Sequence, residues 1–229
     1  MFAAGPAEKG HQTLHFKGVF SAPCLPGQHC YNLIEMNEIG FEMKIALTQL
    51  GPRLLGKTAG RRDYARICEL LTQASEGDLV FLDFSGVEMV NGSWLNMAIA
   101  PLFQWAATSQ HDLYPVIASF PDDWIDELEL AAQVNAQCFP LVSDCESPIS
   151  SLRLVGSLDE TLQATFRCLV ELRSATGAKM AREATIAGVK PTTWNNRLRD
   201  LHDMRLVSRR REGRQQIYSP LAEEVQFNG

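Results

Sequence analysis

The sequence predicts a layered α/β fold followed by a mainly helical region that ends in a β-hairpin, and three observations carry this. Between residues 40 and 156, strand-like and helix-like apolar patterns alternate, as they do where helices pack on a sheet. Within that stretch, residues 78–84 (DLVFLDF) form a short continuous apolar run of the kind buried in the middle of a sheet. From residue 157 the apolar spacing becomes helical, and arginines gather around a glycine near the C-terminus.

Residues 1–39 read as an irregular segment, broken by Pro6, Pro23, Pro26 and several glycines. Cys24, His29 and Cys30, with His11 and His15 upstream, match no common zinc spacing, so no metal is assigned. Residues 41–47 alternate as a strand and 60–74 read as a helix. A helix over 93–108, an extended segment over 114–120, a helix over 121–136 and an extended segment over 138–142 follow the 78–84 strand. These elements define a sheet-and-helix domain over residues 40–156.

Residues 157–229 form the second predicted domain. Ser157-Leu158-Asp159-Glu160 gives a capped helix start, and Leu158, Leu162, Phe166, Leu169 and Leu172 keep helical spacing to about Ser174. Residues 178–185 read as a short second helix. Ile186-Ala187-Gly188-Val189 is then the turn that delivers Lys190-Pro191 to a third helix, where proline is tolerated in the first turn. On that helix Trp194, Leu198, Leu201 and Met204 share a core face. Thr193, Asn195, Asn196 and Arg199 occupy the other, with Lys190 and Thr192 at its start. After Leu206 and Val207, the run Arg209-Arg210-Arg211-Glu212-Gly213-Arg214 places Glu-Gly as a tight turn between two short strands.

This order resembles a winged helix-turn-helix domain, and the resemblance covers residues 157–229. It implies that the third helix reads duplex DNA and that the hairpin is the wing. Lys190, Thr192, Thr193, Asn195, Asn196, Arg199, Arg209, Arg210, Arg211 and Arg214 are then the candidate DNA-binding residues. Arg205 departs from the pattern, since many winged helices place a left-handed glycine there, and a non-glycine residue costs roughly 1 kcal/mol. Winged helices also dock proteins, so a protein-binding role stays open. Charge separates the two regions: residues 157–229 hold 12 basic and 9 acidic residues, against 9 basic and 18 acidic in residues 1–156. A basic module next to an acidic one suits a DNA-binding domain joined to a sensing or partner-binding domain.

Residues 79–103 (LVFLDFSGVEMVNGSWLNMAIAPLF) resemble the strand, loop and helix of STAS-like domains, a group that includes anti-sigma-factor antagonists; Arg53-Leu54-Leu55-Gly56-Lys57 upstream fits the same variety. The fold implied is a STAS-like α/β layer ahead of the winged helix. In the antagonists an Asp-Ser-Ser-Gly loop presents a serine to a GHKL-type ATPase, and phosphorylation blocks docking by adding charge. Here the matching residues are Asn91-Gly92-Ser93-Trp94, so Gly92 stands at the usual acceptor position. Ser93 is either the modified hydroxyl or the N-cap of the following helix. Glu88, Asn91, Ser93 and Trp94 are the candidate partner-binding residues.

No enzyme constellation emerges. Asp83, Ser85, Glu88 and Ser93 lie close in sequence without a histidine nearby, and residues 51–60 lack the spacing of a phosphate-binding loop. Asp122, Asp123, Asp126, Glu127 and Glu129 suit a solvated helix start. Neither catalytic residues nor a cofactor are assigned. The six cysteines show no CxxC pairing and read as free thiols. No apolar run approaches a membrane span, and residues 1–10 lack the layout of a signal peptide, so the expected location is the cytoplasm.

The leading reading is a DNA-binding regulatory protein, a STAS-like partner or signal domain joined to a winged helix. Its alternative is a non-enzymatic adaptor that docks a GHKL-type ATPase or another protein without nucleic acid. Pairing into a homodimer would suit half-site recognition, though no heptad specifies it.

Overall fold

The computed structural model describes residues 42–108 and 112–227. Strand β1 (Glu42–Ala46) leads through a 3-10 turn at Leu47–Leu50 to the two-residue β2 (Arg53–Leu54) and helix α1 (Lys57–Leu71). Next come β3 (Leu79–Asp83), the short β4 (Met89–Val90), α2 (Gly92–Thr108) and β5 (Tyr114–Ala118). A 3-10 turn at Asp122–Trp124 precedes α3 (Ile125–Asn135), followed by β6 (Cys138–Val142) and β7 (Ile149–Gly156). The remainder is α4 (Glu160–Leu172), α5 (Gly177–Glu183), α6 (Pro191–Asp203), β8 (Val207–Glu212), β9 (Gln215–Pro220) and β10 (Ala222–Phe227).

Six strands form one sheet in the order β1-β3-β5-β6-β7-β10. The first four are mutually parallel, β7 is antiparallel to β6, and β10 is parallel to β7. Every residue of β3, β5 and β6 is buried, which is why these runs are apolar throughout instead of alternating. Successive side chains still point to opposite faces. Val80, Leu82 and Ile117 join a core with Ile67 of α1, Trp94 and Leu95 of α2, and Leu128 of α3. Leu79, Phe81 and Val116 join a second core with Phe166 and Leu169 of α4 and with Trp194, Leu198 and Leu201 of α6. The helices of the C-terminal region therefore cover one face of the sheet, while α1, α2 and α3 cover the other.

Sheet residues and helices on both sides of residue 157 share one core, and the described residues belong to one compact unit. The fold is mixed α/β with a mostly parallel sheet. No helix among the described residues is long and apolar enough to cross a membrane.

Local chemistry explains where the observed elements depart from expectation. Helix α1 begins at Lys57, three residues before the expected start, and Gly60 then lies inside it. A Cβ at Gly60 would stand 2.8 Å from Met97 Cβ and 2.9 Å from the Trp94 carbonyl oxygen, so its glycine lets α1 and α2 touch. The expected helix over 121–136 is interrupted, its first residues forming the 3-10 turn. The extended segment over 114–120 ends at Ala118, because Ser119 turns to a φ of 53°. Strands β7 and β10 were not expected from the sequence. Phe41 and the N-terminal residues 1–39, with their Cys/His group, lie outside the described residues.

Candidate nucleic-acid interface

Helices α5 and α6 approach closely because Gly177 has no side chain. Its N–H donates to Asn195 Oδ1 at 3.0 Å, and a Cβ there would sit 2.2 Å from that oxygen and 2.6 Å from the Pro191 carbonyl. Thr176 caps α5 by accepting from the Lys179 N–H at 3.1 Å. Lys190 occupies the N-cap position of α6 and Pro191 its first turn, where the missing N–H is no loss. Trp194, Leu198 and Leu201 are fully buried, as their spacing predicts, and the Arg197 guanidinium lies 5.2 Å from the centre of the Trp194 ring.

The hairpin β8–β9 stands beside α6. Its loop is Gly213-Arg214, one residue later than the expected Glu-Gly turn, with Glu212 paired to Gln215 and a φ of 59° at Gly213. Glycine is suited to that position. An isolated bridge between Ala175 and Tyr218 ties the hairpin to the segment between α4 and α5. Between α6 and the hairpin runs an open groove of about 350 Å³, with Asn195, Asn196 and Arg199 on one wall and Arg214, Gln215 and Gln216 on the other.

The structure brings the expected residues only partly together. Lys190, Thr192, Thr193, Asn196 and Arg199 are exposed on α6, and Arg210, Arg211 and Arg214 are exposed on the hairpin. Arg211 Nε donates to the Gly213 carbonyl at 3.1 Å, curling over the turn. Asn195 is exposed but its carbonyl oxygen is occupied by Gly177, which leaves the amide nitrogen as its outward group. Arg209 stands apart from the tip: its guanidinium is 3.9 Å from Asp112, and its side chain is only 34% exposed. Gln215, Gln216 and Thr176 also line the groove and were not singled out from the sequence.

Behind α6 lies a buried polar cluster that the sequence reading missed. Arg205, 3% exposed, pairs with Asp112, and His202 Nε2 stands 3.2 Å from the same carboxylate. Tyr114 donates its hydroxyl proton to Asp112 Oδ2 at 3.2 Å and accepts from the Arg209 N–H at 3.1 Å. Burial pushes the Asp112 carboxyl up, but the hydrogen bonds and charges of His202 and Arg205 outweigh it and hold the group well below the usual carboxylate range. Burial and the Asp112 charge push the Tyr114 phenol far up, so it stays a neutral donor. One signal was available: Arg205 stands where the sequence pattern expects a left-handed glycine, and a long charged side chain there calls for a partner; its φ of 62° bears out that conformation.

In the sheet half, the loop before α2 is built differently from expectation. Asn91, not Ser93, caps α2: its Oδ1 accepts from the Trp94 N–H at 3.0 Å and from the Gly56 N–H at 3.1 Å. Trp94 is fully buried and donates its Nε1 proton to Asp63 at 2.9 Å, so its expected place on a docking surface is corrected to the core between α1 and α2. Glu88 is exposed and pairs with Arg53 at 3.3 Å; Ser93 is half-buried. The Gly92 N–H donates to the Glu127 carboxylate, which already fills the start of α2 with negative charge. A phosphate on Ser93 would enter that occupied position against like charge. The four described cysteines, Cys68, Cys138, Cys145 and Cys168, are free, and burial pushes the Cys138 thiol up to about 12.

Comparison with models of protein families, with curated proteins and with solved structures found no match.

Proposed function

We propose that this chain is a regulatory protein that binds duplex DNA through α6 and the β8–β9 wing, with the sheet half as its partner- or signal-sensing side. The observation that supports this best is the groove in which Asn196 and Arg199 face Arg214, Gln215 and Gln216. Amides offer paired donors and acceptors to base edges, and guanidinium groups grip phosphates and guanine alike. Arg210 and Arg211 extend the basic surface along the hairpin. The STAS-like resemblance of residues 79–103 supports a protein-docking role for the sheet half, with Glu88 and Ser93 as its surface residues now that Trp94 and Asn91 serve the core and the helix cap.

Fluorescence anisotropy on a labelled random-sequence duplex at two salt concentrations tests the reading. Binding that weakens steeply with salt supports phosphate contacts. Absence of binding at low salt overturns it and favours the adaptor that docks protein alone.

A further inference from the structure

We propose that Asp112 and Tyr114 are positioning residues for the surface formed by α6 and the wing: they reach no ligand, yet they hold the base of the wing at a set angle to α6. The inference rests on the duplex reading for what the surface binds, but its structural part stands on geometry alone. Two separate attachments converge on the start of β5. Asp112 takes the side chains of His202, in the last turn of α6, and of Arg205, just beyond it. Tyr114 takes the backbone N–H of Arg209, which lies within β8. The Tyr114 ring is also flanked by the Arg205 guanidinium at 5.6 Å and the His202 ring at 6.0 Å, so one side chain touches both arms of the helix–wing junction.

The junction itself favours a clamp over a hinge. Glycine at position 205 would adopt the left-handed conformation freely and leave the wing free to pivot. Arginine adopts it at a cost, and in return reaches Asp112 from a site where it is 3% exposed. His202 is equally buried at 2%, and Asp112 is 16% exposed. Salt screens buried pairs much less than surface ones, so the clamp persists at ionic strengths that weaken phosphate contacts.

Two variants of the full chain test this. Tyr114→Phe keeps the ring and removes only the hydroxyl, which accepts from the Arg209 amide and donates to Asp112. Asp112→Ala alone would strand a buried guanidinium, so the second variant is Asp112→Ala with Arg205→Gly, which removes both charges and places glycine where φ is 62°. Hydrogen exchange is followed across the chain, and affinity for a random-sequence duplex is measured at low and high salt. The expected result is faster exchange confined to residues 205–220, with α1 and α2 unchanged. Duplex binding should fall roughly tenfold, from lost preorganisation, by the same factor at both salt concentrations. Unchanged exchange in the wing overturns the proposal, as does acceleration spread equally over α1 and α2, which would mark a support for global stability. Faster wing exchange with the parent's affinity also overturns it. If the parent itself binds no duplex, the duplex reading falls, and the exchange pattern alone decides whether Asp112 and Tyr114 hold the wing.

Discussion

The backbone N–H of Gly92, the first residue of α2, donates to the side-chain carboxylate of Glu127 in α3. Helix α2 has no acidic residue in its own first turn, so Glu127 supplies the negative charge that a helix start favours. A Cβ at position 92 would stand 2.7 Å from Glu127 Oε2, and the carboxylate would have to swing away. Gly92→Ala and Glu127→Ala should each cost about 1 kcal/mol, from the lost hydrogen bond. The two should not add: once Glu127 is alanine, Gly92→Ala meets no carboxylate and gains the better helix propensity of alanine. Urea unfolding of the double-mutant cycle checks this, and strictly additive costs would show that the contact contributes nothing.

Leu198 tests the shared core. It lies on α6 but packs in the cluster that includes Leu79, Phe81 and Val116 of the sheet. Leu198→Ala should cost roughly 2 to 5 kcal/mol, and the loss should appear in the unfolding of the whole compact unit. Thermal unfolding followed by far-ultraviolet circular dichroism and by hydrogen exchange in β3 should then show one transition shifted together. A separate early transition of residues 157–227, with β3 protected as in the parent, would mean that the two regions fold independently.

The contrast between strands explains what could be read from the sequence. Strands β3, β5 and β6 are buried on both faces, so composition alone marks them, and the α6 stripe of Trp194, Leu198 and Leu201 carries its own helical period. Strand β7 is only partly buried, and β10 (AEEVQF) lies at the sheet edge with both glutamates exposed; neither shows a continuous apolar run. β10 also pairs with β7 across the whole intervening segment of α4, α5, α6, β8 and β9, a distance that local patterns do not span. The same holds for the candidate site. Exposed Arg199, Arg211 and Arg214 announce themselves by type and spacing, whereas the roles of Trp94 and Arg205 depend on Asp63 and Asp112, which lie 31 and 93 residues away.

Acid should weaken the fold through Asp83. Burial pushes this carboxyl up, but the Ser85 hydroxyl at 2.6 Å, Lys44 Nζ at 2.9 Å and the Ser85 N–H at 2.9 Å together bring it from 3.8 to about 2. A group whose folded value is depressed adds stability above its unfolded value and loses it as pH falls through the folded one. The contribution of Asp83 is therefore whole above about pH 4 and disappears toward pH 2, on the order of 1 kcal/mol after allowance for the half-exposed Lys44. Asp112 acts in the same direction. Urea midpoints measured across this window should fall less steeply for Asp83→Asn than for the parent. Equal slopes would show that the Ser85 and Lys44 contacts do not stabilise the charged form.

The β8–β9 hairpin separates two kinds of arginine. Arg211 and Arg214 are exposed at the turn, and Arg214 lines the groove against α6. Arg209 sits at the base, two-thirds buried and 3.9 Å from Asp112. On the duplex reading, each arginine that neutralises a phosphate contributes about 0.9 to the slope of log affinity against log salt. Replacing Arg211 and Arg214 together by alanine should lower that slope by roughly 1 to 2 and weaken specific and random duplexes by a similar factor. Arg209→Ala should leave the slope as it is, because its charge faces a carboxylate and not the nucleic acid. Anisotropy titrations over a salt series on both duplexes distinguish the outcomes. A slope unaltered by the tip substitutions would mean that the wing does not touch the backbone, and loss of specific binding alone would mean that it reads bases.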